Sequence, residues 1–420
     1  MQRISYCVKA WTADFAALPA VGYVIRSPHR SIHRGRASRR DHGPVDPGSR
    51  YPGTMRSTLL ALVVTMLAGA CAPNVWSEPY PVRPVELPRD DAAHEAPVEW
   101  WYWVGHVEDE SGRRLAFQLT FFRAYAPPEV RLGGVLPLAW LVAPGHVAHA
   151  ALTDVDAGRH RMRQRFDAYY DGGASTSDLA VWVGDWRAER AADGLSHALS
   201  FTVGSHALEL ELTPTKPASL HGDPPGIQTM GPGGVSYYVS HTRLDVTGTV
   251  RGPCVVPRAC PAVPVRGQGW FDHQWGDFRI DAFLGWDWFA LQFDDGADLM
   301  LYLIRDASGA YVAAEGAYVS AAGRTQRLLE DDFAIVPSGA VWRSPETGAV
   351  YPAQWRVQVP AFDVDVVVTP LVADQEMDTR ATTTIVYWEG AVEVRGTRPG
   401  LGFVELTNYD RVPFEPSGTH

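Results

Sequence analysis

The stretch Leu208–Leu212 reads Leu-Glu-Leu-Glu-Leu, and this strict alternation of apolar and acidic residues is typical of a β-strand with one buried face. The same two-residue period recurs at Phe117–Phe121, Leu244–Val246, Trp355–Val359, Phe362–Val368 and Val392–Val394. Turn dipeptides separate such runs at Asp171-Gly172, Asp193-Gly194, Asp295-Gly296, Ser308-Gly309 and Ser338-Gly339. No long segment has the 3.6-residue period of an α-helix, so the sequence predicts an all-β fold, either a sandwich or a barrel.

The composition is that of a globular protein. The chain has 420 residues, of which 46% are hydrophobic and 20% are charged. Its formal net charge of −11 argues against a nucleic-acid-binding surface. Four Cys in this length exclude a small fold held together by disulfides, and no apolar run reaches the roughly 18 residues of a membrane-spanning helix.

The N-terminal region has the features of a targeting segment. Residues 1–54 are rich in Arg, Gly, Ser and Pro without apolar periodicity, so we expect an over-extended, disordered N-terminus with Met55 as the true start. Residues 55–70 have a basic start and an uncharged apolar stretch, which predicts a lipoprotein signal peptide. Cys71 would carry the lipid, and the Pro-rich residues 71–93 would form a tether. The expected location is therefore outside the cytoplasm, on a membrane, in the periplasm or at the cell surface.

A Pro/Gly-rich stretch, residues 251–267, marks a candidate inter-domain region. It contains Cys254 and Cys260, whose spacing in an oxidising compartment favours a local disulfide over a metal site. The predicted domains are residues 94–275 and 276–420.

Aromatic residues cluster in the first of three motifs, Glu99–Trp103, which reads Glu-Trp-Trp-Tyr-Trp. On a strand, Trp100 and Tyr102 face one side, and Trp101 and Trp103 face the other. Two interpretations carry equal weight: both faces belong to hydrophobic cores, or one face lines a ligand cavity.

The other two motifs place acidic residues among aromatic ones, in Trp270–Asp277 and Gly285–Phe289. A carboxyl group is costly to bury unless it is hydrogen-bonded or protonated, and an apolar setting raises its pKa. Asp272 is thus a candidate general acid, and nearby indole faces can stabilise a developing cation. Such a site suits protonation of an electron-rich alkene. Alternatively, Asp272 and Asp287 accept hydrogen bonds from neighbouring indole N–H groups and hold two domains together.

Several other sites are excluded. The chain has no Gly-x-Ser-x-Gly elbow, no phosphate-binding Gly-rich loop and no dinucleotide fingerprint. His146 and His149 would face opposite sides of a strand, which favours ordinary polar roles over metal binding. No metal or cofactor is predicted.

A series of motifs in order along the chain resembles the carotenoid 1,2-hydratase and AttH-like family, whose members are also described as lipocalin-like or as secreted hydrolases. The motifs are Glu99–Tyr102, Phe117–Arg123, Tyr237–Ser240, Trp270–His273 with Gly285–Phe289, Tyr387–Gly390 and Gly402–Thr407. The resemblance spans residues 94–415 and implies two lipocalin-like antiparallel β-barrels packed side by side.

The resemblance also implies a hydro-lyase activity. In the hydratases an Asp after an aromatic-Phe pair protonates a terminal isoprenoid double bond, and Asp272 holds this position. Trp270 and His149 are the other implied catalytic residues, with a cation sheltered by indole rings and captured by water. Trp270 replaces an expected Tyr and His273 an expected Ser, so the apolar ligand need not be a carotenoid. The implied ligand-binding residues are Glu99, Trp100, Trp101, Tyr102, Tyr237, His273, Trp286, Asp287 and Trp288.

Two further interpretations of function remain open. One is a non-catalytic carrier or cell-envelope factor that holds a hydrophobic ligand at the membrane surface. The other is a structural or adhesion protein in which the Trp clusters are only core.

Overall fold

The computed structural model describes residues 82–125, 131–132, 136–137, 144–167, 171–228, 235–252, 261–277, 284–383 and 385–415. The expected leader, signal peptide, lipidation site at Cys71 and disulfide between Cys254 and Cys260 lie outside these residues. No helix long and apolar enough to cross a membrane occurs in the described ranges.

The predicted all-β class and the two curled barrels are confirmed. Two large antiparallel sheets make up the described chain; the first is a nearly closed barrel and the second is a half-barrel. The described residues contain no α-helix, only 3-10 turns at Arg89–Asp91, Glu330–Asp332 and Pro360–Phe362.

The first sheet has thirteen strands. These are β1 (Val98–Asp109), β2 (Arg114–Ala124), β5 (Gly145–Asp154), β6 (Arg159–Phe166), β7 (Gly172–Ala174), β8 (Ala180–Val183), β9 (Trp186–Arg190), β10 (His197–Val203), β11 (His206–Pro214), β12 (Ser219–Leu220), β13 (Ile227–Gln228), β14 (Ser236–Arg251) and β15 (Ala262–Gly276). A separate hairpin pairs β3 (Arg131–Leu132) with β4 (Leu136–Pro137). The main order is β6-β5-β2-β1-β15-β14-β11-β10-β9-β8-β7, and β5 also lies beside β7 and β8, which nearly closes the barrel.

The second sheet has ten strands. These are β16 (Gly285–Phe293), β17 (Asp298–Arg305), β18 (Tyr311–Val319), β19 (Thr325–Leu329), β20 (Ala334–Pro337), β23 (Trp355–Val359), β24 (Val364–Pro370), β25 (Glu376–Asp378), β26 (Val386–Gly396) and β27 (Gly400–Thr407). The hairpin β21 (Val341–Arg343) with β22 (Val350–Pro352) is separate. The main order is β19-β18-β17-β16-β27-β26-β24-β23-β20.

Each barrel has its own apolar interior, built by the alternation that the sequence shows. In the first, Leu208, Leu210 and Leu212 of β11 join the core while the Glu residues between them stay exposed. In the second, β23 and β24 contribute their alternate apolar residues in the same way. A third cluster, which includes Tyr102 and Trp288, lies where the outer faces of the two sheets pack together.

Four sequence interpretations differ from the structure. Residues 251–252 and 261–267 do not separate domains, because Arg251 of β14 pairs with Ala262 of β15 and both strands lie in the first sheet. Phe362 is not in a strand, since the 3-10 turn at Pro360–Phe362 and the left-handed Asp363 (φ 52°) delay β24 to Val364. Gly172 begins β7 rather than a turn.

The fourth difference concerns the expected tether. Its described part, residues 82–93, packs against the first barrel instead of extending from it. The indole nitrogen of Trp101 donates to the Asp91 carbonyl (3.0 Å), and the Ala93 amide donates to the Ser175 carbonyl (2.8 Å). Asp91, Ala92 and Ala93 are buried as a result.

Candidate functional site between the two barrels

A cavity of about 170 Å³ lies between the outer faces of the two sheets. Strands β1, β2, β14 and β15 form one wall, and β16, β17, β26 and β27 form the other. The described lining residues are Val98, Trp100, Tyr102, Gln118, Thr120, Phe122, Gln228, Tyr238, Asp272, Gln274, Trp286, Trp288, Tyr302, Ile304, Thr383, Ile385, Tyr387, Glu389, Glu405 and Asn408.

The alternation of β1 decides which aromatic residues reach this cavity. Trp100 and Tyr102 line it, whereas Trp101 and Trp103 point into the interior of the first barrel and are at most 1% exposed. Both interpretations of this motif therefore hold, one for each face of the strand.

Asp272 on β15 is 4% exposed and lines the cavity. Its carboxylate accepts hydrogen bonds from Tyr238 Oη (2.5 Å), from Trp270 Nε1 (2.6 Å) and from Ser240 Oγ. Burial raises the pKa of Asp272 to about 6 despite these three donors, which favour the charged form. The group can hold or release a proton near neutral pH.

Two more carboxyl groups lie on the opposite wall. Glu389 on β26 and Glu405 on β27 are cross-strand partners, so their side chains share one face of the second sheet. Tyr102 Oη donates to Glu389 Oε1 (2.7 Å), and Glu389 Oε2 has no hydrogen-bond partner among the described residues. Burial, together with the neighbouring carboxyl groups, raises the pKa of Glu405 to about 7 and that of Glu389 well above its usual range.

His149 does not line the cavity but contacts a residue that does. Its Nδ1 lies 2.9 Å from Tyr387 Oη and its Nε2 lies 2.9 Å from Thr382 Oγ1. Burial lowers the pKa of His149 to about 3, so the ring is neutral. Its position suits orienting Tyr387 rather than donating a proton to a ligand.

The predicted ligand-binding residues divide into two groups. Trp100, Tyr102, Trp286 and Trp288 line the cavity together with Asp272. The structure places Glu99, Trp101, Tyr237, His273 and Asp287 away from it, on the other faces of their strands or outside the space between the sheets. Trp270 is not a lining residue, yet it reaches the site through its hydrogen bond to Asp272.

Glu99 and His273 belong to a buried polar network. Glu99 Oε1 contacts His94 Nδ1 (2.8 Å) and His273 Nε2 (3.0 Å), and Arg123 Nη1 lies 3.3 Å from Oε2. His94, Glu99 and His273 lie close enough to hold a metal ion. However, both oxygens of Glu99 already have donors and a guanidinium group is adjacent, so the arrangement fits an ion-pair network better than a metal site.

Asp287 and Tyr237 have structural partners. Asp287 pairs with Arg305 Nε (3.2 Å) and accepts hydrogen bonds from Tyr311 and Tyr409 Oη (both 2.8 Å). Tyr237 stacks on Trp275 with ring centroids 4.9 Å apart. Asp287 is thus a hydrogen-bonded structural residue, but its donors are an Arg and two Tyr of the second barrel rather than the indole N–H groups that the sequence interpretation expected.

The sequence motifs do not reveal the roles of Glu389 and Glu405, although both residues stand within the motifs that carry the family resemblance. A single acidic residue between Val404 and Leu406 reads as the solvent-facing position of a half-buried strand. Only the packing of the first barrel over this face makes it a cavity wall.

Comparison with known proteins agrees with this architecture. The AttH-like family model matches residues 78–409. A crystal structure of an AttH-type protein from Nitrosomonas europaea is 32% identical with a TM-score of 0.68, covering 79% of this chain and 99% of that chain. Kievitone hydratase from Nectria haematococca shares the fold at 15% identity with a TM-score of 0.58, covering 76% of this chain and 92% of that chain. No curated protein matches the chain. On the family match and the first of these structures, the chain belongs to the AttH-like family.

Proposed function

We propose that the protein catalyses acid-assisted addition of water to a carbon–carbon double bond, or its reverse, on an apolar isoprenoid-like ligand. One observation carries the proposal: Asp272, a buried carboxyl group with its pKa raised to about 6, lies in the wall of an aromatic cavity. A general acid works best when its pKa is near the operating pH. The resemblance to the carotenoid hydratases assigns the same role to this residue.

The reaction begins with proton transfer from Asp272. The O–H bond of the protonated carboxyl group breaks, a C–H bond forms at one alkene carbon, and the other carbon becomes a cation. Trp288 and Trp286 line the cavity where this charge develops, and indole faces stabilise cations. No metal or cofactor takes part in this scheme.

Water then completes the addition. Its oxygen forms a bond to the cationic carbon, and its extra proton passes to the Asp272 carboxylate left by the first step, which restores the acid. Glu405 on the second wall can accept this proton instead and would then return it to Asp272 before the next turnover. Gln118, Gln228 and Asn408 line the same cavity, and each has a side-chain oxygen without a hydrogen-bond partner among the described residues. These oxygens can accept hydrogen bonds from the attacking water or from a hydroxyl of the product.

The cavity volume limits what enters. A 150 Å³ cavity holds a molecule the size of benzene, so about 170 Å³ suits the reactive end of an isoprenoid chain rather than a whole carotenoid. In keeping with the N-terminal signals, we propose that the protein is exported and anchored by lipid at Cys71, where membrane-dissolved apolar molecules are at hand.

The main alternative is a carrier that holds such a ligand without reaction. The three hydrogen bonds to Asp272 favour it, because they give the carboxylate a structural reason to be buried.

Product analysis in isotopically labelled water distinguishes the two. Purified protein is incubated with a panel of short isoprenoid alkenes and tertiary alcohols. Mass spectrometry then detects alcohols that have gained one labelled water and alkenes that have lost one unlabelled water. Asp272→Asn should lower turnover at least about 100-fold, because general acid catalysis contributes that much. Asp245→Asn is the matched control, since Asp245 is exposed on β14 and contacts Gln268 of β15. Unchanged turnover in Asp272→Asn would overturn the mechanism, and ligand retention without any turnover would favour the carrier.

A further inference from the structure

We propose that the cavity between the barrels binds small organic cations, tertiary or quaternary ammonium compounds, through Asp272, Glu389, Glu405 and the surrounding aromatic side chains. This goes beyond the proposed hydration, because it concerns a stable ligand and requires no reaction.

The described cavity wall carries acidic side chains but no basic ones. Its described lining includes the three carboxyl groups and no Lys, Arg or His. The hydrogen-bond donors to Asp272 and Glu389 are neutral hydroxyl and indole groups. Ser240, which donates to Asp272, also contacts the buried His221 (Oγ to Nε2 2.7 Å). Burial lowers the pKa of this imidazole to about 3, so His221 is neutral as well. No cation of the described chain therefore neutralises these groups.

Two other buried carboxylates, Asp298 and Glu376, have partners that compensate their charge or occupy their oxygens. Asp298 is neutralised by Lys216 (2.5 Å) and Arg243 (2.7 Å). Glu376 accepts hydrogen bonds from three hydroxyl groups, which occupy both of its oxygens. Glu389 has one donor, one oxygen without a partner among the described residues, and Glu405 as its cross-strand neighbour. A cation entering the cavity would supply the missing countercharge.

The remaining wall suits the same ligand. Eight of the described lining residues are aromatic, namely Trp100, Tyr102, Phe122, Tyr238, Trp286, Trp288, Tyr302 and Tyr387. Aromatic faces carry partial negative charge and attract quaternary ammonium groups more strongly when the site is shielded from water. Such a cation needs a negative countercharge and contacts that replace its hydration shell. The carboxylates supply the first, and the aromatic rings supply the second.

Size restricts the class further. At about 170 Å³, the cavity accepts a cation with about as many heavy atoms as a small ring compound. Choline has this size, and neohexyl alcohol is its uncharged match, in which carbon replaces the ammonium nitrogen.

The experiment compares these two probes with the full-length protein by ligand-observed NMR and calorimetry at mildly alkaline pH. Choline should bind saturably and at least about tenfold more tightly than neohexyl alcohol, since cation–π contacts and a countercharge act only on the cation. Equal binding of the two, or no choline binding, would overturn the proposal. Neither result depends on turnover, so failure here is separable from failure of the hydration.

Two variants and one control locate the effect. Glu405→Gln and Asp272→Asn should each weaken choline binding several-fold and leave the weak binding of neohexyl alcohol unchanged. Glu209→Gln removes the same charge from an exposed position on β11 and should change neither. If the wild-type preference for choline persisted in both cavity variants, the cation would bind elsewhere and the proposal would be wrong. Thermal unfolding of each variant confirms that the fold is intact.

Discussion

Glu99 and Glu389 are equally hidden from solvent and yet have opposite surroundings. Glu99 is 0% exposed and Glu389 is 2% exposed. Glu99 contacts two imidazoles and a guanidinium group, and its hydrogen bonds to His273 and His94 outweigh its burial and lower its pKa. Glu389 has one tyrosine donor and faces a second carboxyl group, and its pKa is raised. Burial alone therefore does not mark a functional carboxyl group; burial without compensation does.

The largest effect expected from this comparison is on stability. Glu99→Gln should lower the free energy of unfolding by about 3 kcal/mol or more, because it leaves the buried Arg123 without its anion and weakens the hydrogen bonds of Glu99 to His94 and His273. Urea unfolding measures this change. Glu389→Gln is the partner experiment and should cost far less, because Glu389 has no cationic partner among the described residues that the substitution would leave unpaired. Similar losses of unfolding free energy in both variants would contradict the difference between Glu99 and Glu389.

The second effect is a pH dependence. A pKa raised from 4.5 to about 7 means that Glu405 stabilises the fold fully below pH 4.5 and loses this contribution as the pH rises through 7. Wild-type stability should therefore fall between pH 5 and pH 8, by up to about 3 kcal/mol from this group. Glu405→Gln should flatten that part of the profile. A profile as steep in the variant as in the wild type would assign the loss to other groups.

The smallest expected effect comes from removing the hydroxyl group of Tyr102, compared with removing that of Tyr237. Tyr102→Phe removes the hydrogen bond to Glu389 and should cost about 1 kcal/mol in thermal or urea unfolding. It should also raise the pKa of Glu389 further, because that hydrogen bond favours the charged form. Tyr237→Phe is the matched control: its hydroxyl accepts from the Arg83 amide (2.7 Å), so stability should fall similarly while the pKa of Glu389 stays unchanged.

Local alternation was enough to predict strands at the runs that it marked, apart from Phe362, and to predict the faces of β1. It also identified Asp272 and the tryptophans on the cavity side, because a carboxyl group among aromatic residues is unusual in itself. It could not separate Asp287, which also stands among aromatic residues in the sequence but pairs with Arg305 on β17. It also could not find the Glu389–Glu405 pair, whose burial depends on the other barrel packing over it. Pairing across sheets is a long-range property that no single motif contains.

Infrared spectroscopy as a function of pH shows whether the cavity carboxyl groups hold protons near neutral pH. We expect the wild-type protein to retain a protonated carboxyl band near neutral pH and a folded Glu99→Gln protein to keep it, whereas the combined variant Asp272→Asn, Glu389→Gln, Glu405→Gln should lose it. If all carboxyl groups of the wild-type protein were ionised well below neutral pH, the cavity would lack the uncompensated acids on which both proposals depend.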